Sequence, residues 1–416
     1  MTDDQIQALS SWHQEPTTTR AINDALADLW RDAARARLEQ TEKSHSDELQ
    51  QALIRTSVLN SVVYASSQGV AERADSVMAH LSVSHPSRSI VIVAQPDDPT
   101  TSLGASLNAQ CHADDEGRPR FCFEQLRLTA RGAIVQRLPG IVTQLLIHDL
   151  PTLLWWPGEP PIGDPFFRAM AEVCDRVIVD SSDFPEPASA LANLAEFARL
   201  QVNCASLSDL NWDRLTDWRE MVAQFFDAAP AQPQISQIRS VIIECADPGG
   251  QHDSAQALLL AGWLASRLGW ELDRVTRDVL GGGCVIELCR AEQRAAGDGG
   301  GHGAAAADGA GLVQIQITAS SDRHGQPGAL VLVRLVAGER ETQAVFTVEA
   351  SGDGEHGTTT VELPGAQPVS RTVRLEPPAE SVLIGEEMEA FGRERAYESA
   401  LQTAGRFAAQ LAGVPG

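Results

Sequence analysis

Residues able to do chemistry are sparse in this 416-residue chain, and the clearest set is Asp247-Pro-Gly-Gly-Gln-His-Asp253. A glycine turn between a strand signal and a helix start leaves backbone N–H groups free beside the positive end of a helix dipole, which suits a phosphate. Gly249 and Gly250 are therefore candidate anion-binding residues. The turn lacks a Walker lysine and Gly-x-Gly-x-x-Gly spacing, and Asp247 and Asp253 would repel an anion unless they cap the helix. A capped strand–helix turn is the competing reading. Arg55 and Arg88 form the second set, each at the edge of an apolar strand run where a guanidinium needs a carboxylate or a phosphate. An internal ion pair and a ligand anion both meet that need.

Other constellations fail on geometry. The ten histidines and seven cysteines contain no His-x-x-x-His, His-Glu-x-x-His or Cys-x-x-Cys, so no metal site is expected. There is no Gly-x-Ser-x-Gly elbow. Cys111-His112 would leave a strand on opposite faces, and so would Cys284 and Cys289. His148-Asp149 are adjacent, which suits a helix-ending turn better than a base and its orienter. No catalytic residue and no cofactor is expected.

The last candidate is a surface. His148-Asp-Leu-Pro-Thr-Leu-Leu-Trp-Trp-Pro-Gly-Glu-Pro-Pro161 joins an apolar run to a proline-stiffened exit. Leu153 to Trp156 is too short for a helix and too apolar for a strand with a wet face, so it reads as a strand covered on both sides. Both indoles serve as core filler on one reading. On the other, Trp155, Trp156 and Glu159 form a partner-binding hot spot, provided an indole lies at the surface.

These residues need a scaffold, and the length implies two domains. Residues 1–15 read as a flexible lead. From 16 to 212 the grammar is that of a three-layer α/β domain: a helix capped by Pro16 to Thr19, with apolar residues from Ile22 to Ala33 at helical spacing, that breaks down near Glu42, branched runs at 53–65 and Ile90–Ala94, a helix at about 70–81, and strands at 107–113 and 121–129. A perturbed helix at 132–147, strands at 152–156 and 176–180, and helices at 166–174 and 187–200 continue the pattern. Residues 213–236 read as a helical linker. From 237 to 416 the pattern is α+β: a strand at 239–245, a helix at 254–268, then alternating segments at 285–289, 312–319, 330–336, 344–349, 358–363 and 371–375 that give a largely antiparallel sheet. A closing helix at 393–411 carries an apolar stripe that can cover it. Residues 295–311, rich in Gly and Ala, read as a flexible loop.

The net charge is −24, from 32 basic and 56 acidic residues. Such a balance repels phosphate backbones and anionic lipid, so neither nucleic acid nor membrane is an expected partner. Without a signal-peptide core or a long apolar run, a cytoplasmic protein is expected.

Five ordered blocks then match a known family: Arg55-Thr-Ser-Val-Leu-Asn-Ser-Val-Val-Tyr64, His85-Pro-Ser-Arg88, Asp149 to Pro161, Asp180-Ser-Ser-Asp-Phe184 and Asp209-Leu-Asn-Trp-Asp-Arg-Leu-Thr-Asp-Trp-Arg-Glu220. Together with Ala257 to Trp270 and the closing helix, they resemble the OpcA family, the glucose-6-phosphate dehydrogenase assembly proteins of bacteria. The resemblance implies a non-catalytic partner that binds glucose-6-phosphate dehydrogenase and promotes its active oligomer, raising flux through the oxidative pentose phosphate pathway and NADPH supply. In cyanobacterial members it also implies redox control through cysteines; this chain has none after Cys289. The alternative, drawn from Arg55, Arg88 and the 247–253 turn, is a sugar-phosphate-binding enzyme or binding module of α/β fold.

Overall fold

The computed structural model describes residues 6–43, 54–55, 57–82, 84–113, 119–200, 205–247, 254–278, 283–290, 311–322, 325–339, 341–390 and 392–413. Two compact units divide the chain. One takes residues 1–179, 203–208 and 379–392, the other 180–202, 209–378 and 393–416.

The first unit begins with β1 (Ile6–Gln14), which pairs antiparallel with a later strand. These residues fall in the stretch read as a flexible lead, so order begins earlier than composition suggested. After α1 (Thr19–Lys43) come β2 (Ile54–Arg55), β3 (Leu59–Ala65) and α2 (Gln68–Leu81), whose first turn is capped by the Ser67 hydroxyl accepting from the Val70 N–H. The branched residues of β4 (Ser87–Gln95) are buried without alternation, the mark of a central parallel strand. A hairpin of β5 (Ser102–Ala113) and β6 (Pro119–Arg131) follows. Next come α3 (Leu138–Thr143), β7 (Thr152–Trp156), α4 (Pro165–Glu172) and β8 (Arg176–Val179). Strand β7 ends where Pro157 stops it, and α4 starts with Pro165 in its first turn and Asp164 as cap.

The chain then runs through α5 (Pro187–Leu200), β9 (Ser206–Asp209), α6 (Leu210–Asp213) and α7 (Thr216–Gln224). The first sheet has the order β1-β5-β6-β4-β3-β7-β8-β9, with β2 beside β6. From β3 it grows outward through β4 and β6 on one side, then through β7, β8 and β9 on the other, with β6-β4-β3-β7-β8 all parallel. That is the doubly wound order of nucleotide-binding sheets.

The second unit is built on β10 (Ile238–Ala246), α8 (Ala255–Leu268), β11 (Trp270–Asp278), β12 (Gly283–Arg290), β13 (Leu312–Ser320), β14 (Leu330–Ala337), β15 (Ala344–Ala350), β16 (His356–Glu362) and β17 (Val369–Arg374). Its sheet runs β11-β12-β13-β10-β14-β15-β16-β17, antiparallel except at β10–β13. Val313, Ile315 and Ile317 alternate with Gln314, Gln316 and Thr318 between a buried and an open face. Ser254 caps α8 and Gly269, at φ 64°, ends it in the left-handed conformation. Two helices close the chain, α9 (Glu380–Glu389) and α10 (Arg395–Leu411). Helix α10 packs on α5, α8 and β11, and a Cβ at Gly262 of α8 would lie 2.4 Å from the Ala400 carbonyl oxygen, so only glycine permits that approach. Residues 295–310 of the Gly/Ala-rich segment lie outside the described residues.

Helix α9 belongs to the first unit. There Arg176 pairs with Glu387, donates to the Ser208 hydroxyl and caps the carbonyls of Ala390 and Gly392 at 2.9 and 2.7 Å. Arg73–Glu380 and His85–Glu389 pin the helix against α2. Among the described residues no helix is long and apolar enough to cross a membrane.

Candidate functional site

In a doubly wound sheet the ligand crevice opens at the carboxyl ends of the strands where the winding reverses. Here that point lies between β3 and β7. Val63 sits beside Trp155, which places Tyr64 beside Trp156 one residue further on. The two rings stack at 3.9 Å with 9° between their planes; Phe166 leans on Tyr64 at 5.6 Å, and Phe167 meets Trp156 edge-on at 5.0 Å. An aromatic cluster thus sits at the carboxyl ends of the two strands that flank the switch point. The β3–α2 turn, Ser66-Ser67-Gln68-Gly69, has one glycine, and its Ser67 is engaged as the helix cap. Burial, then the nearby Asp164 carboxylate, push the Tyr64 phenol above its ordinary pKa.

Trp155 and Trp156 are 2% and 4% exposed. The hot-spot reading required a surface indole, and the structure gives neither. Glu159 is exposed on the exit, between the buried Pro157 and Pro160. Arg88 is buried and its anion is internal: Glu124 accepts at 2.8 and 3.0 Å while the Leu145 carbonyl takes a third donor at 2.6 Å. The Trp30 indole N–H donates to the other Glu124 oxygen at 2.9 Å. Arg55 falls in β2 beside Cys122, but its side chain, like Gly249 and Gly250, lies outside the described residues. The first unit therefore does not show Arg55 and Arg88 as a joint anion site. Among the described residues no group of three or more His, Cys, Asp or Glu is placed to hold a metal ion.

A polar cluster that residue-by-residue reasoning did not single out lies in the second unit. Asp180, Ser181, Asp209 and Asn211 are each 1% exposed. Asp180 follows β8 and Asp209 ends β9, and each caps the next turn, Asp180 accepting from the Ser182 N–H at 3.1 Å and Asp209 from the Asn211 N–H at 3.0 Å. Asp209 Oδ1 also accepts from the Ser181 N–H at 2.9 Å. Arg214 grips Asp180 with two bonds of 2.7 Å. The network continues from Ser181 through Asn211 to Gln256, whose amide oxygen accepts from the Leu330 N–H. Burial first, then the Asp180 carboxylate, push Asp209 up to about 7 against the hydrogen bonds that pull it down. Nearby, the Trp212 indole N–H donates to Glu394 at 2.8 Å and the Arg219 guanidinium lies 3.6 Å from the Trp212 ring. The repeated strand-then-Asp pattern at Asp180-Ser-Ser and Asp209-Leu-Asn is the sequence signal that marks this cluster. Chemically it can hold a proton and order two turns.

Known proteins share this framework. Residues 78–196 match the family model described as the glucose-6-phosphate dehydrogenase subunit N-terminal domain, and residues 205–401 match the one described as its C-terminal domain. A Nostoc punctiforme protein named OpcA, provisionally assigned to the OxPP cycle, is 36% identical over 168 residues, 40% of this chain and 35% of the relative. Its namesake in Synechocystis sp. is 31% identical over 191 residues, 46% of this chain and 38% of the relative. The Synechococcus elongatus namesake is 28% identical over 310 residues, 72% of this chain and 63% of the relative. The match thus spans between 35% and 63% of the length of these relatives. Two solved structures are remotely similar: a dehydrogenase (MviM) from Clostridium difficile, 10% identical with a TM-score of 0.40 over 85% of this chain and 99% of that one, and a provisionally described oxidoreductase from Thermotoga maritima, 10% identical with a TM-score of 0.45 over 85% and 97%. At that level of similarity neither informs fold or function.

Proposed function

Since this chain belongs to the OpcA family, we propose that it is a non-catalytic assembly factor and allosteric activator of glucose-6-phosphate dehydrogenase, acting in the cytoplasm and supporting the oxidative pentose phosphate pathway and NADPH supply. The observation that supports the non-catalytic half is the Tyr64–Trp156 stack, which sets bulky apolar rings at the carboxyl ends of the strands flanking the switch point, where a doubly wound sheet ordinarily meets its ligand. The partner half is supported by the two family models, both described by that dehydrogenase.

An activator acts by binding the competent state of its target more tightly, and a coupling of about 1–3 kcal/mol changes an affinity roughly 5- to 150-fold. The contact we propose is the Pro157–Pro161 exit bearing Glu159, with the buried indoles holding that exit in place rather than touching the partner. The test measures the dehydrogenase's apparent affinity for glucose 6-phosphate with and without this protein, alongside co-elution by size. The expected result is a tighter apparent affinity and a joint peak. Separate elution and an unchanged affinity would reject the proposal.

A further inference from the structure

Among the described residues, the buried carboxylates Glu124, Glu387 and Asp180 each face an arginine: Arg88, Arg176 and Arg214. Asp209 is different. It is 1% exposed, its Oδ1 carries both of its N–H donors, and its Oδ2 has no hydrogen-bond partner among the described residues. Its charged neighbour is a second carboxylate, Asp180, which already holds the two bonds of Arg214. Among the described residues, the hydrogen bonds that other elements bring to this network come from neutral groups, the Gln256 amide from α8 and the Leu330 N–H from β14. Asp213 is the acidic residue of α6, the short helix that Asp209 caps.

We propose that Asp209 is a proton-operated latch in the second unit: protonated, it lets the Ser181–Asp183 turn and α6 close around a single Asp180–Arg214 pair; ionised, it sets two buried carboxylates side by side and loosens both turns. The direction follows from the environment. A buried carboxyl facing a like charge holds its proton to higher pH than it does in the unfolded chain. With a folded value of about 7 against 3.8 unfolded, the closed state is most favoured below pH 3.8 and loses that advantage as pH rises through 7. Loosening travels along Ser181, Asn211 and Gln256 toward β14, because each of those side chains is bonded to the next. The latch does not depend on the dehydrogenase reading, so its test uses this protein alone.

Aspartate labelled with carbon-13 at the side-chain carboxyl reports the titration directly in the full chain, with the Asp209 signal identified by its loss in Asp209→Asn. The expected midpoint is near pH 7, with amide exchange at Ser181 and Asn211, corrected for the intrinsic pH dependence, rising across the same range. A midpoint below pH 5, or protection that stays constant from pH 5.5 to 8.5, overturns the latch. Should Asp209→Asn fail to fold, Asp180→Asn serves instead: removal of the neighbouring charge should move one aspartate midpoint down from near 7, and a set of midpoints unchanged from the parent overturns the proposal equally.

Discussion

Trp156→Ala separates an indole that builds the first unit from one that touches a partner. The side chain is 4% exposed, stacked on Tyr64 at 3.9 Å and met edge-on by Phe167. Burying roughly 200 Å² of indole at about 25 cal/mol/Å² is worth about 5 kcal/mol, and the stacked pair adds about 1 kcal/mol. Core Trp-to-Ala changes measured elsewhere cost about 3–5 kcal/mol, so partial collapse of the site trims the sum to about 4–5 kcal/mol. Against a total stability of about 5–15 kcal/mol, that is a large loss. Urea denaturation followed by circular dichroism should show the midpoint falling by about 1.3–2.5 M, taking a slope of about 2–3 kcal/mol/M. Trp156→Phe keeps a ring over Tyr64 and should lose less than half as much. Glu159→Ala, at an exposed position, should move the midpoint by no more than the equivalent of about 0.5 kcal/mol while weakening dehydrogenase binding. A Trp156→Ala protein with an unchanged midpoint and lost activation would refute this reasoning, because a core indole cannot be removed without cost.

Other consequences are measurable. Arg88→Ala takes the guanidinium away from the buried Glu124 carboxylate, so it should destabilise by about 3–5 kcal/mol, whereas Arg88→Met with Glu124→Leu should recover most of that loss in a double-mutant cycle. Gly262→Ala gains about 1 kcal/mol of helix propensity but drives a Cβ to 2.4 Å from the Ala400 oxygen; the net expected loss is about 1–3 kcal/mol, read as a lower thermal midpoint with unchanged helicity. Burial pushes the Cys174 and Cys245 thiols up to about 12, so site-resolved mass spectrometry after maleimide treatment of the folded protein at pH 8 should find both unmodified.

Local signals carried the elements, and long-range pairing carried what they hid. Proline at 157 and the uniform apolar run before it place β7 and its end correctly, because both cues act within a few residues. The alternation of Val313, Ile315 and Ile317 likewise places β13. Strand β11 escaped notice because its pattern, with Trp270 the one buried side chain, offers little periodicity, and Ile6–Gln14 looked unstructured because its pairing with β5 lies a hundred residues away in sequence. Arg88 stood out as a cation needing an anion, yet which anion depended on β4 lying beside β6, a register no local pattern states. The same holds for Tyr64. Its place in the stack follows from the doubly wound strand order, and the family blocks that contain Tyr64, Trp156, Asp180 and Asp209 become an aromatic stack and a buried network only once that order is known.

Helix α9 sets a timetable for biosynthesis. Arg176 and Glu387 are 211 residues apart, so on a ribosome the strand start that carries Arg176 leaves the exit tunnel long before its counter-ion exists. At roughly 5–20 residues per second that wait lasts roughly 10–40 s. During it the groove along α2 and the Arg176 guanidinium stand open to water, to chaperones and to proteases. A gene cut anywhere between the two halves would make the wait permanent, so complementing fragments, not independent domains, are what bisecting this chain should yield.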